Sequence, residues 1–92
     1  MTIVEAVVRE EALEEGPADY RRATITLPLE DRQKTHGRRR SDDGLEFAIS
    51  LAPGLTLADG DCFVLESERV AVVVREAAEA VYVLRPQSAQ ER

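Results

Sequence analysis

At 92 residues the chain is long enough for one domain with one core, since compact chains below about 150 residues seldom divide into two. The composition is 43% hydrophobic but only 4% aromatic, without tryptophan, so the core must consist mainly of Val, Leu, Ile and Ala. The formal net charge of -6 argues against general nucleic-acid binding, which requires a basic surface to displace counterions from phosphates.

The cysteine count and the hydropathy pattern indicate the compartment. A single cysteine, Cys62, excludes an intrachain disulfide and therefore a secreted scaffold held by disulfides. The first residues lack the basic and apolar regions of a signal peptide, and no apolar run reaches the roughly 18 residues of a membrane span. We therefore predict a cytoplasmic protein without membrane association.

The N-terminal part of the chain contains two strand patterns separated by polar connectors. Ile3 to Val8 is nearly continuous in β-forming apolar residues and predicts a strand, whereas the acidic stretch from Glu10 to Ala18 predicts a loop. Ala23 to Leu27 alternates apolar residues with threonine, which is typical of a strand with one buried face. Leu29 to Gly37 has no periodic apolar face and predicts a connector or one helical turn.

The clearest local signal is a β-hairpin around Asp42, Asp43 and Gly44. An Asp-Gly pair supplies the positive φ angles of a tight primed turn, so we predict that strands 38–41 and 45–51 pair with each other. Alternation along the returning strand places four apolar side chains on one face, which fixes the register; they are Leu45, Phe47, Ile49 and Leu51.

Glycine-centred turns and apolar runs also organise the C-terminal part. Asp59, Gly60 and Asp61 predict a second structural turn, which leads into a strand over 62–66. Val70 to Val74 is apolar on both faces, so we place this strand centrally in its sheet. Ala80 to Leu84 predicts the last strand, before a polar tail over 87–92. The prediction is an all-β domain over 1–86, with about seven short strands in one or two small packed sheets.

The sequence offers little for catalysis or metal binding. The single histidine, His36, lies in an arginine-rich stretch whose positive field disfavours a catalytic triad. One histidine and one cysteine cannot supply the three or four ligands of a zinc or nickel site, so His36 is a metal candidate only across the two-fold axis of a homodimer. Cys62 on an apolar strand predicts a buried hydrophobic residue. We therefore predict neither catalytic residues nor a cofactor on this chain.

The basic stretch 32–40 is the surface feature to which a function can be attached. Its arginines can make bidentate contacts with carboxylates or phosphates, and the alternative is an ordinary solvated strand. The stretch contains no interleaved aromatic residues for base stacking, which disfavours a role in single-strand nucleic-acid binding.

The order of these motifs resembles the N-terminal domain of the urease accessory protein UreE family. Those domains have a strand, a connector of the type Arg-x-Lys-x-x-x-Arg, and a hairpin ending Asp-Asp-Gly. Here Arg32, Lys34 and Arg38 hold the connector positions, and Gly44 ends the hairpin motif. The block from Leu51 to Asp61 and the valine-rich strands behind it are also similar to the family, so the resemblance covers nearly the whole chain.

The resemblance implies two small sheets, similar to the peptide-binding domain of Hsp40-type chaperones, in a dimeric metallochaperone that brings nickel to apo-urease. In that family a second domain carries the nickel-binding histidine, and Arg92 stands where that domain would begin. The family's nickel ligands therefore have no counterpart in this sequence, and nickel is implied only through the domain that is absent from it.

From the resemblance we hypothesise a role in protein contact during urease maturation, with urease apoprotein and its assembly factors as partners. The predicted contact residues are Arg32, Lys34, Arg38 and Arg40. One alternative is a stand-alone β interaction or scaffold module outside the urease pathway, including a homo-oligomer. Another is a metal-binding protein that depends on His36. An enzyme is the least expected class.

Overall fold

The structure, a computed structural model, describes residues 1–15 and 19–78, and this part of the chain is built almost entirely from β-strands. A 3₁₀ helix spans Glu10–Glu15 and a one-turn helix, α1, spans Leu29–Arg32. Within the described residues, no helix has the length and apolarity needed to cross a membrane. The predicted all-β class is confirmed. The strands are β1 (Ile3–Val4), β2 (Val8–Arg9), β3 (Arg21–Leu27), β4 (His36–Arg40), β5 (Glu46–Ser50), β6 (Asp61–Leu65) and β7 (Val70–Glu76).

The strands form two small mixed sheets. One has three strands in the order β1-β5-β4, and the other has four in the order β2-β6-β7-β3. β1 runs parallel to β5 and β3 runs parallel to β7, whereas the other pairs are antiparallel. The central position predicted for the valine-rich strand is confirmed, because β7 lies between β6 and β3 and every residue from Val70 to Val74 is buried.

The apolar run from Ile3 to Val8 is divided between the two sheets. Val4 pairs with Ile49 in the three-stranded sheet, whereas Val8 pairs with Cys62 in the four-stranded sheet. The prediction of one continuous strand is wrong, because apolar composition does not show where a chain turns from one sheet into the next. The strand predicted over 80–84 and the tail over 87–92 lie outside the described residues.

The main core lies between the two sheets. Phe47 of β5 and Phe63 of β6 are fully buried, and their ring centroids lie 5.3 Å apart. Phe47, Ile49 and Leu51 face this core, as the predicted alternation requires. A second cluster on the far face of the four-stranded sheet joins Leu13 of the 3₁₀ helix to Cys62 and to two residues of β7. Burial raises the pKa of the Cys62 thiol to about 11.

The hairpin between β4 and β5 is confirmed, but its turn differs from the prediction. The Ser41 N–H donates to the Leu45 carbonyl at 2.8 Å, and the Gly44 N–H donates to the Ser41 carbonyl at 2.9 Å. Gly44 has φ +97°, whereas Asp43 has no positive φ, and a primed two-residue turn over Asp43 and Gly44 would need a positive φ at Asp43. The connection is therefore a three-residue turn with glycine in the position that only glycine adopts easily.

The hairpin tip also fastens the two sheets together. The Asp42 carboxylate accepts hydrogen bonds from the hydroxyls of Thr24 and Thr26 at 2.8 and 2.9 Å and from the Thr26 N–H at 3.2 Å. The Asp42 N–H donates to the Thr24 carbonyl at 2.8 Å. These contacts cover the outer edge of β3, the strand that forms one of the two edges of the four-stranded sheet.

Candidate partner-binding surface

Strand β4 forms one edge of the three-stranded sheet and carries most of the basic stretch. Its residues His36, Arg38 and Arg40 pair with Ser50, Ala48 and Glu46 of β5, which place them on the outer face of the sheet. All three are exposed. We call His36, Arg38 and Arg40 the basic face. Because the side chains of a strand alternate, the intervening residues of β4 point towards the core side instead.

The two arginines of the basic face differ in how they are paired. Arg40 Nη2 lies 2.9 Å from Glu46 Oε2, in an ion pair whose side chains are 68% and 51% exposed. Exposed pairs of this kind contribute about 0–1 kcal/mol, so Arg40 can exchange Glu46 for another carboxylate at little cost. The Arg38 guanidinium makes no hydrogen bond or ion pair with any residue that the structure describes. Arg38 is therefore the group most open to an acidic partner.

Arg39 lies on the opposite face of β4, in register with buried Phe47. Its Nη1 folds back and donates to the Arg38 carbonyl at 2.6 Å, while its Nε and Nη2 atoms are enclosed and have no hydrogen-bond partner among the described residues. Arg38, Arg39, Arg40 and Glu46 line a surface pocket of about 190 Å³ at this place. An anion that accepted from Nε and Nη2 would offset the cost of leaving these donors unpaired.

Lys34 precedes β4 and lies outside the basic face. It is exposed, and its Nζ lies 3.3 Å from the Asp31 carboxylate, three residues earlier in the chain. An exposed pair at this spacing is weak, so the ammonium group remains available to other carboxylates.

The structure corrects the place of Arg32, which the sequence put on the contact surface. Arg32 is only 8% exposed. Its Nε donates to the Leu27 carbonyl at 3.2 Å, and its Nη1 lies 3.5 Å from both the Leu57 carbonyl and a Glu76 carboxylate oxygen. The Leu57 N–H in turn donates to the Arg32 carbonyl at 2.8 Å. Arg32 therefore joins the ends of β3 and β7 to the 51–60 loop, and it lies apart from the exposed residues of the basic face.

The second predicted turn is held by contacts within the domain. Gly60 has φ +92°, and Asp61 Oδ2 accepts from the Ala58 N–H at 2.8 Å. The other Asp61 oxygen accepts from Arg9 Nη1 at 2.9 Å, and the Asp59 carboxylate accepts from the Glu76 N–H at 3.2 Å. The side chains of Asp59 and Asp61 therefore stabilise this turn through hydrogen bonds within the domain.

His36 stands without metal-binding neighbours in the described part of the chain. Its Nδ1 lies 3.0 Å from the Thr35 hydroxyl. Among residues 1–15 and 19–78, no three His, Cys, Asp or Glu side chains are grouped closely enough to hold a metal ion. Cys62, the other candidate metal ligand, is fully buried in the small cluster beneath the 3₁₀ helix.

A larger groove of about 740 Å³ lies at the corner between β1 and β2. Its walls are mainly apolar and include Ile3, Val8, Tyr20 and Val64, with Ile3 62% exposed. Glu66 and Arg69 add charge at its margin. This groove is the second surface suited to contact with another protein.

Comparison with known proteins places the chain in a family. Residues 3–76 match the family model described as UreE urease accessory protein, N-terminal domain. Proteins named "Urease accessory protein UreE" from Alkalilimnicola ehrlichii and from Actinomyces naeslundii are each 44% identical to it, over 70 and 69 residues. The alignments cover 76% and 74% of this chain but 40% and 42% of the relatives, so the chain spans about two fifths of the curated relatives that it matches.

The family description names an accessory protein rather than the urease enzyme, so the prediction of a non-enzyme is confirmed. The motifs along 27–61 that suggested the family lie within the matched residues. The chain therefore belongs to the family of UreE urease accessory protein N-terminal domains.

Proposed function

We propose that this chain makes protein contacts in the cytoplasm during urease maturation and nickel insertion, and that it holds no nickel itself. The observation that carries the proposal is the basic face, an exposed row on an edge strand of a chain whose net charge is -6. The basic face is a positively charged surface on an acidic protein. Such a surface favours binding to a partner that presents carboxylates opposite it. Urease apoprotein and its assembly factors are the proposed partners, because the relatives are named urease accessory proteins.

The charges involved indicate what the surface contributes. Arg38 supplies an unpaired guanidinium, while Arg40 and Lys34 supply groups held only by exposed ion pairs. Exposed ion pairs contribute little affinity, about 0–1 kcal/mol each, but complementary charge raises association rates and fixes the orientation of docking. The basic face is therefore proposed as the element that orients the partner, with other contacts completing the interface.

A pull-down against urease apoprotein and the urease assembly factors tests this proposal. The variant carries Lys34→Ala, Arg38→Ala and Arg40→Ala, and we expect it to lose most of the retained partner. The control is Arg22→Ala, which removes an exposed arginine from β3 in the other sheet, outside both the basic face and the apolar groove. Equal retention by the wild type and the triple variant would refute the role of this surface.

Nickel titration tests the second half of the proposal. At micromolar nickel, calorimetry should show no saturable uptake by the chain, because no group of three potential ligands exists among the described residues. Stoichiometric uptake that disappears in His36→Ala would replace the proposal with metal binding by the chain itself.

The apolar groove supports a second candidate, a scaffold module outside the urease pathway. Exposed Ile3 and Val8 on its wall would be covered if copies of the chain associated through this surface. Analytical ultracentrifugation of wild type and Ile3→Asp tests whether copies of the chain associate through this groove. A monomeric wild type would count against the scaffold, whereas a dimer fits both candidates. A gene neighbourhood encoding urease favours the accessory role.

A further inference from the structure

Strand β4 has an open hydrogen-bonding edge. The Leu51 N–H donates to the Thr35 carbonyl, and the Ser41 N–H donates to the Leu45 carbonyl, both at 2.8 Å. In an antiparallel pair, residues that bond to the neighbouring strand alternate with residues that do not. The N–H and C=O groups of His36, Arg38 and Arg40 therefore point away from β5, towards the side of β4 where the described residues place no strand.

The other sheet edges in the described part of the chain are short or covered. β1 and β2 each contain only two residues. The edge of β3 is closed by Asp42, which takes up the Thr24 carbonyl and the Thr26 N–H. Exposed edges invite pairing with another chain, and proteins usually cover them. β4 has five residues, and no strand among residues 1–15 and 19–78 lies on its outer side, so in this part of the chain it is the edge that remains available.

Arg39 occupies part of this edge in the absence of a partner. Its Nη1 donates to the outward carbonyl of Arg38, while its Nε and Nη2 remain unpaired. An added strand would supply a backbone N–H to the same carbonyl. The Arg39 guanidinium would then leave the edge, which loses one side-chain hydrogen bond and gains several main-chain hydrogen bonds.

We infer that β4 accepts an extended acidic segment of a partner protein as an added antiparallel strand next to the basic face. This inference rests on the proposed function and specifies the chemistry of the partner. In antiparallel pairing, the residue opposite Arg38 has its side chain on the same face as Arg38 and its backbone groups turned towards β4. Carboxylates at every second position of the segment then lie beside Arg38 and Arg40, and the segment adds main-chain hydrogen bonds to the charge contacts.

Backbone-methylated peptides test the inference. Three fluorescent peptides share one alternating Glu-Thr sequence: one is unmodified, one is N-methylated on its glutamates, and one is N-methylated on its threonines. In the proposed register the glutamate N–H groups face β4 and the threonine N–H groups face away. Fluorescence anisotropy should show that glutamate methylation weakens binding at least about tenfold, while threonine methylation leaves it within about twofold.

Substitutions in the protein provide the matched controls. Arg38→Gln should weaken binding of the unmodified peptide, whereas Arg22→Gln, with the same change of charge in the other sheet, should not. An alternating Lys-Thr peptide should not bind. Equal binding of the two methylated peptides, stronger loss from threonine methylation, or no binding of the unmodified peptide would each overturn the inference.

The outcomes also separate this inference from the proposed function. If the urease partners are retained through Lys34, Arg38 and Arg40 but the methylation pattern is absent, the contact function stands and strand addition is refuted. If the methylation pattern is found but no urease partner is retained, strand addition stands and the urease-linked function is refuted.

Discussion

Replacing Arg32 with alanine should destabilise the domain without removing any group from the basic face. The guanidinium of Arg32 donates to the carbonyls of Leu27 and Leu57 and lies 3.5 Å from a carboxylate oxygen of Glu76. Alanine would leave both carbonyls without this donor, in a region where Leu27 and Leu57 are themselves 6% and 1% exposed. The Leu27 carbonyl would keep the Ala77 N–H as a donor at 3.0 Å, so the cost is that of two lost hydrogen bonds from a charged donor, with only the Leu57 carbonyl left without a donor among the described residues.

The size of this cost follows from the contacts. Hydrogen bonds from charged donors contribute about 1.5–3 kcal/mol each, and the distances of 3.2 and 3.5 Å place these two at or below the lower end. The ion pair adds less than about 1 kcal/mol, because the Glu76 side chain is 48% exposed. The sum is about 2–3 kcal/mol, which lowers the melting temperature of a domain this small by about 10–20 °C.

Urea and thermal unfolding followed by circular dichroism measure this effect. The matched control is Arg38→Ala, because it removes the same side chain from an exposed position with no partner among the described residues, and we expect it to change stability by less than about 0.5 kcal/mol. A melting temperature of Arg32→Ala within about 2 °C of wild type would refute the structural role assigned to Arg32.

Three other residues give further predictions. Gly44→Ala should cost about 1–2 kcal/mol in urea unfolding, because Gly44 has φ +97° and the added Cβ meets no atom within 4 Å, so unchanged stability would contradict the turn geometry. Hydrogen bonds from Thr24 and Thr26 hold the pKa of Asp42 below its ordinary value, so their stabilisation is present above about pH 4 and is lost as pH falls through the folded-state pKa. Urea unfolding at pH 7 and pH 3 should therefore show a smaller acid loss in Asp42→Ala than in wild type, and equal losses would contradict this assignment. Cys62 is fully buried and its pKa is raised to about 11, so a thiol reagent at pH 7 should label it only in step with unfolding, and rapid labelling of the folded protein would place it at the surface.

The sequence predicted those parts of the fold that depend on local pattern. Alternation identified the buried face of β5, and the glycine at position 44 located the hairpin, since both signals come from neighbouring residues. A run that is apolar on both faces identified β7 as a central strand, because only an interior strand buries both faces. These features follow from local chemistry and need no knowledge of the tertiary arrangement.

Other features depend on contacts between distant residues and could not be read from the sequence. Val4 and Val8 belong to different sheets because of their partners, Ile49 and Cys62, which are more than forty residues away. In sequence, Arg32 resembles the other basic residues. In the structure, the carbonyl of Leu27, 5 positions before it, and that of Leu57, 25 positions after it, hold it inside the domain. The sequence also showed three consecutive arginines without showing that the side chain of the middle one folds back onto the edge of β4.

The central claim is that the basic face of β4 binds an acidic protein partner of the urease assembly. Isothermal titration of the chain against urease apoprotein and each assembly factor, with Arg38→Gln and Arg22→Gln compared at low and at physiological salt, tests it most directly. We predict a saturable interaction that weakens with salt, is reduced severalfold by Arg38→Gln and is unchanged by Arg22→Gln. Equal affinities of the wild type and both variants, or no binding to any of these partners, would contradict the claim.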